Sequence, residues 1–415
     1  MIAPVPTSMR KIPITTLAAF MLGPFAFACG SDVPSDATPS GADVDGGSAA
    51  SGDGGKLGDG AAAPSRTCTL GTQQRVSSAP GESLRPRLAA GPAGAAVVWS
   101  DAREDAPGGY FAALDATGKP ASPLLAVSGG LPDVAWGGAD WLVATAGPGY
   151  LSVRRFDASS APLSEMTKVA EMGGDSAPSI APTGNGYGVA WTSKRDIGDP
   201  GDITFAALDP TGVLVGPAIR VTTSAFRERD PRIVWNGNGF GVVWIDERSV
   251  SPQLGFRELD ATGHPKGDEK FVGTKVSGIS RLEWTGSGYV VGLNQEAYTV
   301  ARLDPSGNVV NAPKPVPVVK GHSNTGGGPS IAWRDGHLAF AYRWLDKSYA
   351  SDLPVLLFVE LDENLDQSSD KLIPISVAGE GSNGVQPSLI ATKDGYMIAW
   401  TGGPQEIFTR TITCQ

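Results

Sequence analysis

The sequence is poor in the residues that metalloproteins and disulfide scaffolds use. It has three cysteines and three histidines in 415 residues, and His264, His322 and His337 have no partner at the spacing of metal ligands. No Gly-x-Ser-x-Gly elbow and no phosphate-binding loop occurs. These absences argue against a disulfide-rich scaffold and against a nucleophilic hydrolase, and we expect neither a metal nor a cofactor.

Charged residues are also scarce, and they are unbalanced. Asp, Glu, Lys and Arg make up 18% of the chain, and the formal net charge is -10. Binding to nucleic acid depends on basic side chains that neutralise phosphates, so we do not expect this chain to bind nucleic acid. Apolar residues do not recur with a helical period, whereas the 55 glycines and 33 prolines are typical of many short strands joined by turns.

The N-terminal segment has the features of an export signal. Arg10 and Lys11 precede an apolar stretch over residues 12–28, which is interrupted by prolines and is short for a membrane span. We therefore predict a signal peptide over residues 1–28 and a location outside the cytoplasm.

A cysteine directly follows this apolar stretch. The run Ala26-Phe27-Ala28-Cys29 resembles the lipobox of bacterial lipoproteins, and the resemblance implies that Cys29 is acylated and anchors the mature chain in the lipid bilayer. The alternative is ordinary signal-peptidase cleavage after Ala28, which would release a free protein. Residues 29–66 are rich in Gly, Ser, Ala and Asp and lack aromatic residues, which predicts a disordered linker.

From about residue 67 the chain repeats a unit of four strands. Each unit begins with a short apolar strand, continues through a Gly-rich turn to a second strand, and has a third strand that ends in Leu-Asp-x-x-Gly. Tandem sandwiches need about twice the observed period, whereas radially repeated four-stranded units are typical of β-propellers. The sequence therefore predicts an all-β, seven-bladed β-propeller over residues 67–415. Its seven first-strand anchors, 46 to 58 residues apart, are Leu88, Val134, Ile180, Ile233, Leu282, Ile331 and Leu389.

The last repeat is short and lacks a fourth strand. Residues 72–78 precede the first repeat and have the pattern of an orphan fourth strand, so we predict that they complete the last blade and close the ring. Cys68 and Cys414 flank the two strands that this closure brings together, and export permits oxidation. We predict a Cys68–Cys414 disulfide.

Tryptophan recurs at two positions of the repeat, at the ends of the first and second strands. An aromatic series can stack on sugars, but recurrence at equivalent strand positions favours packing between neighbouring blades. The Asp and Gly of the Leu-Asp-x-x-Gly ends are interpreted as residues that shape the hairpin turn.

The repeats resemble those of uncharacterised bacterial lipoprotein β-propellers, in which Trp-x-Asp-x-Arg and Leu-Asp-x-x-Gly recur. The first pattern occurs twice here, at Trp99 to Arg103 and at Trp244 to Arg248. The resemblance implies the propeller fold and a lipoprotein of the outer membrane that faces the periplasm or the cell surface. It implies no activity.

Arginine concentrates in segments that are predicted to share one face of the propeller. One interpretation is an opening that accepts anions, such as acidic glycans, because Arg suits bidentate recognition of carboxylate or sulfate. The other is that each Arg pairs with an Asp of its own or the next blade. The candidate binding residues on this axial face are Arg87, Asp101, Arg103, Arg195, Arg229, Arg232, Asp246, Arg248 and Arg281.

Two functional hypotheses follow. The first is a non-catalytic binding or scaffold propeller, tethered to the membrane, that takes a glycan or protein ligand at the axial face. The alternative is a carbohydrate-active enzyme, a glycoside hydrolase or lyase, with acidic residues in the axial pocket. An assembly subunit whose partner docks on the blade faces is a third possibility. No catalytic residue can be chosen from the sequence.

Overall fold

The computed structural model describes residues 66–78, 81–103, 108–147, 149–172, 177–194, 198–317, 328–346, 353–376, 387–403 and 405–415. These residues form strands and turns, and none of their segments is a helix long and apolar enough to cross a membrane. The predicted signal peptide, Cys29 and all of the predicted linker except Arg66 lie outside the described residues.

The described part of the chain starts with two short strands and then forms six four-stranded antiparallel sheets in sequence order, which are blades 1 to 6. The two short strands are β1 (Cys68–Leu70) and β2 (Gln74–Arg75). Blade 1 contains β3 (Ser83–Gly91), β4 (Gly94–Asp101), β5 (Gly108–Asp115) and β6 (Leu125–Val127). Blade 2 contains β7 (Gly130–Trp136), β8 (Trp141–Ala146), β9 (Tyr150–Phe156) and β10 (Thr167–Glu171). Blade 3 contains β11 (Ser179–Pro182), β12 (Tyr187–Ser193), β13 (Asp202–Leu208) and β14 (Ile219–Arg220).

The second half repeats the arrangement. Blade 4 contains β15 (Glu228–Trp235), β16 (Gly239–Asp246), β17 (Gln253–Asp260) and β18 (Pro265–Val272). Blade 5 contains β19 (Gly278–Trp284), β20 (Tyr289–Asn294), β21 (Tyr298–Leu303) and β22 (Val309–Pro315). Blade 6 contains β23 (Ser330–Arg334), β24 (His337–Asp346), β25 (Leu353–Leu361) and β26 (Ile373–Pro374). Blade 7 contains β27 (Ser388–Thr392), β28 (Gly395–Gly402) and β29 (Glu406–Cys414), together with β1 and β2.

The first strand of each blade is the innermost one. These strands contact one another in the cyclic order β3, β7, β11, β15, β19, β23 and β27, and β27 returns to β3. The closed cycle confirms the predicted seven-bladed β-propeller. All seven predicted anchors lie on these innermost strands, and each is at most 6% exposed.

The recurring tryptophans pack within and between blades. Trp99, Trp191, Trp244 and Trp400, at the ends of second strands, are at most 3% exposed. The tryptophans at the ends of first strands are half-buried, and Trp235, for example, packs edge-on against Phe240 with ring centroids 4.8 Å apart. The interpretation of this series as packing residues is confirmed for the second-strand set.

The turn after the third strand has one construction in six blades. Four of these turns have the sequence Leu-Asp-x-x-Gly, and the other two have Ser160 or Leu365 at the glycine position. The Asp Oδ1 accepts hydrogen bonds from the backbone amides two and four residues later, as the prediction of a turn-forming Asp requires. In blade 4 a Cβ at the turn glycine, Gly263, would lie 2.1 Å from the Phe205 ring of blade 3, so this close approach requires glycine. The six aspartates are Asp115, Asp157, Asp209, Asp260, Asp304 and Asp362.

Both ends of the propeller chain form blade 7. β1 and β2 each pair antiparallel with β29, and Val76 continues this edge by donating its amide to the Ile407 carbonyl at 2.8 Å. The closing segment therefore begins at Cys68, four residues before the predicted residue 72. Cys68 lies opposite Cys414 in the register, and a disulfide joins them, as predicted.

A buried ion pair holds the start of the propeller to blade 6. The Arg66 guanidinium donates to both oxygens of the fully buried Glu360 carboxylate, at 2.9 and 3.0 Å, and to the Cys414 carbonyl at 2.7 Å. Tyr396 donates its hydroxyl to the same carboxylate at 2.8 Å. Charge-assisted hydrogen bonds thus hold the seam between blades 6 and 7, while the disulfide joins β1 to β29 within blade 7.

Candidate functional site

β-bulges distort the beginning of the innermost strands of blades 1, 2, 4 and 5. In three of these bulges the residue before a proline adopts a positive φ: Arg85 at 57°, Leu131 at 48° and Asp230 at 55°. This conformation costs a non-glycine residue roughly 1–3 kcal/mol, and a following proline disfavours it further. The three strained residues line one cavity.

This cavity, which we call the mouth cavity, has a volume of about 380 Å³ and is lined by residues of blades 1 to 4. Because three innermost strands contribute to it, the cavity lies at one end of the propeller axis. Its lining includes Arg85, Leu131, Lys194, Arg227, Arg229 and Asp230.

Basic side chains outnumber the acidic side chains that neutralise them in the mouth cavity. Arg229 donates to Glu247 at 2.6 Å and to Asp230 at 2.6 Å, and Arg227 lies 3.5 Å from the same Glu247. Neither Arg85 nor Lys194 forms an ion pair with any residue that the structure describes, and both are exposed. An otherwise acidic protein therefore presents an excess of positive charge at this opening.

One residue per blade, directly before the buried anchor, forms a ring around the axis, which we call the axial ring. Its members are Arg87, Asp133, Ser179, Arg232, Arg281, Ser330 and Ser388. In four blades the side chain accepts a hydrogen bond from the backbone N–H of the anchor in the next blade. The four pairs are Asp133 with Ile180 (3.0 Å), Ser179 with Ile233 (3.3 Å), Ser330 with Leu389 (2.8 Å) and Ser388 with Leu88 (2.9 Å).

The other three members of the axial ring are arginines, which cannot accept such a hydrogen bond. Arg281 of blade 5 donates through Nη1 to the Leu88 carbonyl of blade 1 at 3.3 Å, so its side chain reaches a blade that is not its neighbour. Arg232 of blade 4 is 6% exposed and donates to the Pro231 carbonyl at 2.8 Å. Its buried Nε has no hydrogen-bond partner among the described residues.

The three arginines influence one another electrostatically. Burial, reinforced by the positive charge of Arg232, lowers the pKa of Arg87 to about 9. Burial also lowers the pKa of Arg232, although the negative charges of Asp230 and Asp133 oppose this effect. Blades 1 and 4 are not adjacent, so this coupling places the side chains near each other at the axis.

An acidic residue follows on the innermost strand of blade 5. Glu283 lies two residues beyond Arg281, at a position where other blades carry residues such as Ala135 and Ala332. Burial raises the pKa of Glu283 to about 7, against the opposing charge of Arg281. Glu283 is consequently only partly ionised at neutral pH.

The two Trp-x-Asp-x-Arg segments form ion pairs within their own loops. Arg103 donates to both oxygens of the buried Asp101, each at 2.8 Å, and stacks on Tyr110. Burial opposes ionisation of Asp101, but hydrogen bonds from Arg103, Trp99 and Ser83 lower its pKa to about 2.

Blade 4 repeats this ion pair. Arg248 donates to both Asp246 oxygens, each at 2.8 Å, and also to Glu269 at 2.9 Å, with its guanidinium over the Phe271 ring. These contacts are what the pairing interpretation of the Asp-x-Arg spacing expects. They leave fewer donors on Arg103 and Arg248 for a ligand.

A second carboxyl group lies beside Asp246. Glu228 is fully buried, is the register partner of Asp246, and accepts a hydrogen bond from the Thr222 hydroxyl. Burial raises the pKa of Glu228 well above its usual range, the Thr222 hydrogen bond opposes the rise, and the charge of Asp246 adds to it. Glu228 therefore carries the proton of this acid pair near neutral pH.

The structure brings together some of the predicted site residues and separates others. Arg87, Arg232 and Arg281 lie on innermost strands rather than in connecting segments, because those strands continue through the bulges toward the axial opening. Arg229 lines the mouth cavity, and Arg195 lies outside the described residues.

Sequence reasoning did not select the acids that act on the arginines, which are Asp133, Asp230 and Glu283. The recurring Pro-x-apolar pattern could have singled out Asp133, because its x position is the axial ring. In the described part of the chain, the one cluster of potential metal ligands is Cys68, Glu360 and Cys414, and both sulfurs are engaged in the disulfide.

No family model matches the chain, and no curated protein matches it. Among solved structures it is similar to Kuenenia stuttgartiensis hydrazine synthase, with 16% identity, a TM-score of 0.54, and coverage of 82% of this chain and 97% of that chain. It is also similar to the Dos1 propeller, with 10% identity, a TM-score of 0.45, and coverage of 82% and 95%. At these identities the likeness concerns the fold alone, and the first of these structures supports the propeller architecture.

Proposed function

We propose that this chain is a non-catalytic binding or scaffold propeller that takes an anionic ligand, such as an acidic glycan, at the mouth cavity. The observation that carries the proposal is the pair of exposed cations, Arg85 and Lys194, that have no ion-pair partner among the described residues. In a chain of net charge -10, cations that converge on one concave surface attract and orient an anion there.

The bulges support the same function. Arg85 and Asp230 adopt a conformation that costs free energy, and the proline that follows each of them adds to that cost. Strained residues of this kind cluster at binding sites because the surrounding structure positions them in advance. A rigid cavity wall reduces the entropy that a ligand loses on binding.

Replacement of the two unpaired cations is expected to weaken the binding of an acidic polysaccharide. We expect Arg85→Ala/Lys194→Ala to lower the affinity for polygalacturonate about tenfold, since each exposed charge contributes on the order of 0.5–1 kcal/mol. The variant should also show a shallower dependence of affinity on salt. Isothermal titration calorimetry at two salt concentrations measures both effects.

Lys119→Ala/Lys393→Ala is the matched control, because it removes two exposed lysines at the hairpins of the opposite end of the blades. It should bind like the parent, and a neutral galactan should bind neither protein. Equal loss in both double variants would show that net charge alone governs binding. No binding of polygalacturonate by the parent would overturn the proposed acidic-glycan ligand.

We also propose that the propeller is an outer-membrane lipoprotein, tethered through acylated Cys29 and the linker over residues 29–66. A thiol that carries lipid holds the domain at the bilayer, and the linker gives it reach. In a bacterial host, Cys29→Ala is expected to appear in the soluble fraction, whereas the parent should sediment with membranes. Membrane retention of the variant at the parent level would refute the tether.

A carbohydrate-active enzyme is the alternative function, and one observation favours it. Glu228 lines the mouth cavity and keeps its proton near neutral pH, as a general acid must. However, its neighbour Asp246 lies directly opposite it in the β15–β16 register and is bound by Arg248, whereas glycosidase carboxyls are about 5–9.5 Å apart across a substrate. Product release from polygalacturonate that is lost in Glu228→Gln would favour the enzyme.

A further inference from the structure

Arg232 and Arg281 place two positive charges on the axial ring, and Asp133 places one negative charge on it. The negative charges of Asp230 and Asp133 oppose the lowering of the Arg232 pKa, but Asp230 also accepts a hydrogen bond from Arg229 at 2.6 Å. An anion is therefore attracted to the ring.

Two buried atoms of the axial ring lack partners among the described residues. One is a donor, Nε of Arg232, and the other is an acceptor, Oδ1 of Asp133. Each side chain is 6% exposed. The charge of Asp133 acts on Arg232, yet no hydrogen bond joins them in the described structure. An unsatisfied buried polar atom costs about 1–3 kcal/mol, so a group that accepts from one and donates to the other would be stabilised between them.

The ring lies directly beyond the mouth cavity. Arg87, Asp133 and Arg232 each follow, by two residues, one of the strained residues Arg85, Leu131 and Asp230 that line the cavity. The mouth cavity and the axial ring are therefore successive levels of the same three innermost strands.

We propose that the axial ring is a binding site for a sugar acid, a hydroxylated monocarboxylate whose carboxylate accepts from Arg232 and whose hydroxyl donates to Asp133. Arg281 contributes a second guanidinium from blade 5, since its side chain already reaches to Leu88 of blade 1. Arginine suits this role because its planar donors match the two oxygens of a carboxylate. This inference rests on the proposed function, because it assigns the sugar-acid group of the anionic ligand to the axial ring.

The experiment uses monomeric galacturonate as the probe, with galactose and inorganic sulfate for comparison, and measures affinity by calorimetry at pH 6. Galacturonate should bind more tightly than sulfate, and galactose should not bind. Arg232→Gln should weaken galacturonate about tenfold or more, since a hydrogen bond to a charged group contributes roughly 1.5–3 kcal/mol. Lys119→Ala/Lys393→Ala should bind like the parent.

A second variant keeps the proposal testable if Arg232→Gln does not fold. Glu283→Gln removes a partly ionised acid. Among the described residues, Arg281 is the charged side chain that influences the pKa of this acid. The parent should bind galacturonate more weakly at pH 8 than at pH 6. Glu283→Gln should lose less affinity over this range than the parent, although Glu228 in the mouth cavity and Arg87 in the ring still titrate. Equal pH dependence in both proteins would contradict the proposal.

The two proposals fail in different ways. If polygalacturonate binds the parent and needs Arg85 and Lys194, while galacturonate does not bind or is unaffected by Arg232→Gln, the axial ring is not the carboxylate site and the proposed function stands. If sulfate binds as tightly as galacturonate, the ring is a general anion site and the sugar-acid assignment is overturned. If neither the polymer nor the monomer binds, both proposals fall.

Discussion

Removal of the Cys68–Cys414 disulfide is expected to lower the free energy of unfolding by about 5 kcal/mol. The bond spans 346 residues, so in the unfolded chain it forbids a very large set of open conformations. In the folded chain it joins β1 to β29, at the point where the ring closes. We expect Cys68→Ala/Cys414→Ala to unfold at a lower urea concentration than the parent.

Reduction of the disulfide distinguishes the effect of losing the bond from the effect of replacing the two side chains. Both sulfurs are buried, at 5% and 6% exposure, so alanine also removes some packing. The reduced parent should lose most of the stability that the double variant loses, and the reductant should not change the double variant. A parent whose urea midpoint is unaffected by full reduction would show that the strand pairing of β1 and β2 closes the ring by itself.

The buried ion pair nearby makes complete opening of the reduced ring costly. Separation of β1 from β29 would draw Arg66 away from Glu360, which is fully buried and also accepts from Tyr396. A buried carboxylate without its cation is strongly destabilising. We therefore expect the reduced protein to remain folded without denaturant.

The seven-bladed propeller could be predicted from the sequence because the residues that define the repeat face the core. Anchors such as Leu88 and Ile331 recur at the blade period, and burial requires them to be apolar. The closing strand was also predictable, since Cys68 and Cys414 flank two segments that otherwise lack partners. Its early start at Cys68 was not, because the paired segment is interrupted after three residues and its pattern is weak.

The site was less predictable than the ring, because the bulges decide which side chains reach the axis. A one-residue shift in an extended strand changes the face on which a side chain lies, and the bulge between Arg229 and Arg232 introduces such a shift. Arg229 therefore lines the mouth cavity while Arg232 enters the axial ring. Sequence alone grouped the two together on one face.

Replacement of Glu228 by glutamine is expected to stabilise the protein at alkaline pH. The pKa of Glu228 is raised to about 8 by burial and by Asp246, from about 4.5 in the unfolded chain. Between these values the folded chain holds a proton that the unfolded chain releases, so the contribution of Glu228 is full below pH 4.5 and is lost as the pH rises toward 8. Glutamine can still accept the hydrogen bond from Thr222 and does not titrate.

Urea unfolding at pH 5, 7 and 9 measures the effect. Glu228→Gln should match the parent within about 1 kcal/mol at pH 5 and exceed it by about 3 kcal/mol at pH 9. Glu283→Gln should also reduce the loss of unfolding free energy at alkaline pH, because the pKa of Glu283 is raised as well, to about 7. A constant difference between parent and Glu228→Gln at all three pH values would contradict the assignment of the proton.

Glu360→Gln is the matched control, since Glu360 is equally buried but binds the Arg66 guanidinium directly. Its replacement leaves Arg66 without the carboxylate, so it should destabilise the protein at pH 7 and at pH 9 alike. The opposite signs expected for two fully buried glutamates follow from their partners. Arg66 donates two hydrogen bonds to Glu360, whereas Glu228 lies opposite the Asp246 carboxylate and is 3.9 Å from Arg248. Both glutamates are equally buried, so the neighbouring groups decide whether the protonated or the ionised form of the glutamate stabilises the fold.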